Sequence, residues 1–131
     1  MKNEMASLLL AGVVAGCAGA ERTPQMMDPI VIPETAVSVD HMTLFQSEVW
    51  VPINGRMLLA RAGTKHFLLV FNQPCAPLRK ERPDIMVRGY SSNAVYANSD
   101  LVQVSNVMCP VNDIYEILEE DAIALRTRAK R

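Results

Sequence analysis

Histidine, cysteine and aromatic side chains are scarce in this sequence, and each shortage removes a class of chemistry. There are two histidines, His41 and His66, and neither stands in a nucleophile-elbow pattern. A hydrolase brings a nucleophile, a base and an orienting group together, so no catalytic residues are expected. A zinc site draws on more Cys and His ligands than this chain offers, and no C-x-x-C pair marks a redox-active motif. Trp50, Tyr90 and Tyr96 are too few to form a carbohydrate platform unless one sheet face gathers them. The net charge is −1 with no basic stripe, which leaves no electrostatic footprint for nucleic acid. Internal repeats and low-complexity segments are absent. A membrane-spanning run is lacking too: the longest apolar stretch, Met5 to Val14, is about half of the roughly 20 residues that a bilayer requires.

That stretch has another use. Lys2 opens the chain with positive charge, and the apolar run is interrupted only by Ser7 and Gly12. Val14-Ala15-Gly16-Cys17 follows, and the chain turns polar at Glu21-Arg22-Thr23-Pro24. A charged start, an apolar middle and small residues at the end make a secretory signal. Val-Ala-Gly-Cys resembles the lipobox of bacterial lipoproteins. The resemblance implies a diacylglycerol on the Cys17 thiol, removal of residues 1–16 and acylation of the new amino group. Each buried CH₂ contributes about 0.8 kcal/mol, and stable anchoring takes more than one chain. Ala18, rather than Asp, follows the cysteine, which in the same resemblance implies sorting to the outer membrane. The alternative is an ordinary signal cut near Ala18 or Ala20, leaving a soluble periplasmic protein.

Removal of the signal leaves enough chain for one domain. With Cys17 lipidated, Cys75 and Cys109 remain, an even pair in an oxidising compartment. They are expected to form a structural disulfide, with two buried free thiols as the alternative. Closing a loop of about 35 residues stabilises a fold by roughly 3–4 kcal/mol on the chain-entropy model. Residues 17–44 are read as the lipidated cysteine and an extended tether, because Pro24, Pro29 and Pro33 disfavour helix. Within it, Ile30-Val31-Ile32 is a candidate edge strand.

Residues 45–131 are read as the folded domain. Val49 to Ile53 and Met57 to Ala60 flank Asn54-Gly55, a pairing that predicts a hairpin with a type I′ turn. Ala62 to Lys65 makes the next turn and Phe67 to Phe71 a central strand. Ile85 to Tyr90, Ala94 to Tyr96 and Leu101 to Val107 supply further strands, the last with half-buried alternation. From Asp113 onward Ile114, Ile117, Leu118, Ala122 and Leu125 recur at helical spacing, with acids early and bases late, as the helix dipole favours. The expected fold is mainly β (α+β): a small antiparallel sheet or half-barrel with a C-terminal amphipathic helix.

Trp50, Phe67-Leu68-Leu69-Val70, Pro74-Cys75, Ile85-Met86-Val87, Asp100-Leu101-Val102 and Cys109-Pro110-Val111-x-x-Ile114 occur in this order. The series resembles a family of small exported bacterial proteins defined only as a domain of unknown function, over roughly residues 45–118. The resemblance supports export and the Cys75–Cys109 disulfide and implies no activity, cofactor or site residue.

Three constellations invite a ligand and each has a plainer reading. Met26, Met27 and Met42 lie near His41 in sequence, and thioethers with imidazole select Cu(I); Met57, Met86 and Met108 fall at or beside strands, where methionine fills a core. Glu116, Glu119, Glu120 and Asp121 on one helix have the oxygen chemistry of a calcium site, but a solvated acidic first half of a helix is commoner. The basic end, Arg126 to Arg131, offers contact with anionic lipid or cell-wall polymer; dipole compensation accounts for it equally. No cofactor and no metal are expected. The chain reads as a non-enzymatic, lipid-anchored envelope protein with the membrane as one partner and an envelope protein or cell-wall polymer as another. A periplasmic module that binds a small molecule or metal is the alternative.

Overall fold

The computed structural model describes residues 28–45, 48–80, 82–88 and 93–129. The signal, Cys17, Met26, Met27 and Tyr90 lie outside them. Among the described residues ten strands and one α-helix follow in chain order, with a 3-10 turn at Ala76–Arg79: β1 (Val37–Val39), β2 (His41–Thr43), β3 (Val49–Asn54), β4 (Met57–Ala62), β5 (Lys65–Val70), β6 (Ile85–Arg88), β7 (Ala94–Tyr96), β8 (Leu101–Val104), β9 (Val107–Pro110), β10 (Asp113–Ile117) and α1 (Glu119–Ala129). Every strand pair is antiparallel. A five-stranded sheet runs in the order β1-β10-β5-β4-β3, and β2-β7 and β6-β8-β9 form two smaller ones. With β1 and β3 as its edges, the large sheet is open and not a closed barrel. No helix among the described residues is long and apolar enough to cross a membrane.

Both faces of the large sheet are covered at its centre, so Met57–Ala60 of β4 and Phe67–Val70 of β5 are apolar on both faces. Leu58, Ala60, Phe67, Leu69 and Ile114 point into the principal core, where Met42, Val95, Val102 and Val104 from the small sheets meet them. Met57, Leu59, Leu68, Val70 and Ile117 point the other way, toward Ala122 and Leu125 of α1 and toward Ile30 and Ile32 of the N-terminal arm. Burying side chains of this size stabilises a fold by about 1.5–3 kcal/mol each. Cys75, just after β5, is bonded to Cys109 in β9 with a Cα–Cα separation of 5.8 Å. The disulfide therefore joins the large sheet to the three-stranded one across the core.

Five expectations change. The segment 17–44 is not tether throughout. β1 pairs with β10 and β2 with β7, and the arm from Asp28 packs on the sheet, because Ile30, Ile32 and Val39 bury apolar surface there. Ile30-Val31-Ile32 contributes side chains to that packing without forming a strand.

Secondly, Asn54-Gly55 is not a type I′ turn. Asn54 pairs with Met57, leaving Gly55 and Arg56 as the turn residues, and the left-handed backbone angles that type I′ requires occur at neither Asn54 nor Gly55. The Asn54 side-chain Oδ1 instead accepts from the Arg56 amide at 2.8 Å, a local side-chain turn of the kind asparagine favours. Thirdly, Leu101 to Val107 is two strands. Ser105, at φ 56°, and Asn106 turn the chain between Val104 and Val107.

The helix starts later than its periodicity implied. Ile114 and Ile117 satisfy both a helical and a strand reading, and pairing with β5 and β1 on either side decides for strand. The helix that remains buries only Ala122 and Leu125, so its apolar stripe is narrow. Finally, Met86 and Met108 are not core filler: both pair with Gln103 and are 47% and 43% exposed on the outer side of the three-stranded sheet.

Candidate functional site

A cleft opens where the small sheets stop short of the large one. At the end of β4 and β5 the principal-core face of the large sheet continues past Ala60 to Ala62, and past Phe67 to Lys65. Glu116 of β10 is paired with Phe67 on the same row. β2 and the chain to Phe45 roof this end, leaving a cleft of about 560 Å³. That volume lies in the usual range for small-ligand sites. Val39, Phe45, Ala62 and Phe67 make its apolar walls, and Lys65 and Glu116 bring opposite charges into it. No ion pair among the described residues joins those two side chains.

The turn below the cleft has a specific cause. Gly63 sits at φ 65° between the paired residues Ala62 and Lys65, the sort of position that glycine fills at no steric cost. A Cβ there would lie 3.5 Å from the Phe45 ring, which is ordinary contact, so the backbone angle alone selects glycine. Phe45 is 59% exposed and lies over this turn.

His41 forms the cleft's outer rim. Its Nδ1 is 2.8 Å from Asp40 Oδ1, and its ring stacks on Tyr96 with centroids 5.0 Å apart at 25°. The hydrogen bond to His41 holds the Asp40 carboxyl below its ordinary range, slightly opposed by desolvation. The imidazole is thus oriented on two sides by neighbours, in the open.

A model for a family of unknown function, DUF6491, matches residues 1–131. The chain belongs to that family. No curated protein and no solved structure matches it. Its DUF6491 membership therefore brings no assigned residue to the cleft, and the geometry must be read for itself.

In this DUF6491 protein the two histidines are not brought together. His66 is on the opposite face of the large sheet, in a smaller cleft with Arg61, Glu119 and Arg126. Met42 is 1% exposed and belongs to the core, so the Met42–His41 neighbourhood in sequence is split between inside and outside. The four acids expected on one helix are divided: Glu116 is on β10, and Glu119, Glu120 and Asp121 open α1. Asp121 accepts from Thr35 Oγ1 at 2.6 Å and so ties the arm to the helix. Among the described residues no three His, Cys, Asp or Glu side chains converge to hold a metal ion. Trp50 is half-buried on the edge strand β3, against the principal core, whereas Tyr96 stacks on His41.

Sequence reading missed the cleft's charged pair. Lys65 was read as a turn residue and Glu116 as a helix residue. The glycine-centred turn at Gly63 is a signal for Lys65, since it starts β5 with Lys65 on the same face as Phe67; Glu116 has no such local signal.

Proposed function

We propose that this protein is a lipid-anchored bacterial envelope protein that binds a partner without chemical turnover, with the cleft beside Lys65 and Glu116 as the binding surface. The observation that carries the binding reading is the cleft itself: apolar walls from three strands, with a cation and an anion inside. Such a site is suited to an amphipathic group with polar atoms of both kinds, since the walls supply burial and the charges fix orientation. The Cys75–Cys109 disulfide supports an oxidising compartment. The Val-Ala-Gly-Cys pattern supports the anchor at Cys17, and Ala18 supports the outer membrane. An envelope protein or a cell-wall polymer presenting an amphipathic end is the partner favoured here. The second reading, a free small molecule in the periplasm, is favoured by the cleft's volume.

The test is a thermal-shift screen of the processed chain against peptides, cell-wall fragments, sugars and small amphiphiles. A ligand at 100 times its Kd raises stability by about 2.7 kcal/mol. A hit is expected to shift wild type and leave Glu116→Lys unshifted. A hit that shifts both equally, or a flat screen, contradicts the cleft as the site.

A further inference from the structure

The N-terminal arm is clamped to the folded domain at Asp28, where its described residues begin. Asp28 Oδ2 accepts from the Gly55 amide at 2.7 Å and from Arg79 Nε at 3.0 Å, while Oδ1 is 2.8 Å from a terminal nitrogen of Arg79. The Asp28 carbonyl accepts from Arg56 at 3.3 Å, and the Pro29 carbonyl accepts from Asn54 Nδ2 at 2.9 Å. A Cβ on Gly55 would stand 2.8 Å from Asp28 Oδ2, so glycine is required there by the clamp. The chain between Cys17 and Asp28 extends no further than about 40 Å. Whatever surface holds Cys17 therefore lies within that reach of Asp28.

Bases outnumber acids in the segments that meet at the Gly55–Arg79 corner: Arg79, Lys80, Arg82, Arg128, Lys130 and Arg131 stand against Asp28, Glu81 and Asp84 in the sequence. Beyond Arg79, which faces Asp28, the exposed Lys80 and Arg82 line a groove along the edge strand β3. The last turn of α1 reaches the same groove through Ala129. Arg128, which precedes Ala129 in sequence, is exposed, and Lys130 and Arg131 follow in sequence. Trp50, the only tryptophan, lines the groove as well. The ligand cleft is on the other side of the molecule. It involves β1, the opposite edge of the five-stranded sheet, and the Gly63 turn at the far end of β4 from Gly55. Four interstrand spacings put the two edges about 20 Å apart.

We infer that the groove lined by Lys80 and Arg82, together with the basic end of α1 that carries Arg128, docks on the anionic headgroups of the bilayer that carries the protein's own anchor, so that the Lys65–Glu116 cleft opens away from the membrane. This inference rests on the anchor at Cys17 proposed above. The short leash supplies proximity, and the basic groove then chooses which side faces the lipid. Each Lys or Arg near an anionic surface favours association about fivefold, an effect confined to roughly 10 Å at 0.1 M salt.

The experiment reads energy transfer from Trp50 to dansyl-labelled headgroup lipid, using the processed lipoprotein in vesicles. Flotation with pure phosphatidylcholine vesicles reports the anchor alone: a protein that does not float there lacks it, and the anchor reading fails independently of the docking. For protein that does float, transfer is expected to rise when phosphatidylglycerol is included and to fall back in 0.5 M salt. Lys80→Gln/Arg82→Gln/Arg128→Gln is expected to float equally and to show in phosphatidylglycerol vesicles only the transfer seen in phosphatidylcholine. Equal transfer in both vesicles, or a rise that the triple variant retains, overturns the docking.

Discussion

Gly55 shows how a residue can be identified correctly and explained wrongly from sequence. Asn54-Gly55 does mark a hairpin, but the glycine is there to admit Asp28 and Arg79, whose arrival from 27 residues before it and 24 residues after it leaves no local trace. A hydrogen bond to a charged acceptor contributes about 1.5–3 kcal/mol, and a half-exposed ion pair adds under about 1 kcal/mol. Asp28→Ala is therefore expected to cost about 2 kcal/mol in urea unfolding, and Gly55→Ala a similar amount. The two act on one contact, so the double variant should cost little more than either alone; full additivity would show that Gly55 is selected by something else. Asp40 gives a second test at this scale. Its carboxyl is held low by the hydrogen bond to His41, so the pair contributes above the unfolded carboxylate pKa and is lost as pH falls through the folded one. In an NMR titration the Asp40 carboxyl should titrate below the ordinary carboxylate range, and His41→Ala should return it there.

At the scale of elements, most strands were legible because β-branched and aromatic runs announced them. Phe67 to Val70 and Met57 to Ala60 lie where their composition places them. Two boundaries were hidden for opposite reasons. Leu101 to Val107 keeps one alternation through a turn made by Ser105, a residue that rarely takes positive φ, so the hairpin gives no glycine signal. Ile114 and Ile117 fit a helix and a strand equally, and the choice was made by β5 and β1, which a local pattern cannot see. α1 nonetheless matters to the fold on its narrow stripe. Leu125→Ala is expected to cost about 2–4 kcal/mol, and the exposed Ile123→Ala less than about 0.5 kcal/mol. Equal costs in thermal unfolding would mean that the helix packs by another face.

At the scale of the whole molecule, the cleft was the least legible feature. It takes Val39 from β1, Lys65 and Phe67 from β5 and Glu116 from β10, three strands whose adjacency depends on β10 inserting between β1 and β5. Reading β10 as the start of the helix therefore removed the site along with the strand. The Cys75–Cys109 pairing was legible because only two cysteines remained once Cys17 was set aside. The large sheet, stapled by that disulfide, separates the arm's clamp at Gly55 from the cleft at Gly63 by the length of one strand. The clamp at one end and the cleft at the other follow from the same five strands.

The account stands first on the anchor, and intact mass of the protein extracted from bacterial membranes tests it most directly, with and without reduction and thiol alkylation. It predicts residues 17–131 carrying acyl chains on Cys17, with Cys75 and Cys109 alkylated only after reduction. An unprocessed chain with three alkylatable thiols would contradict it.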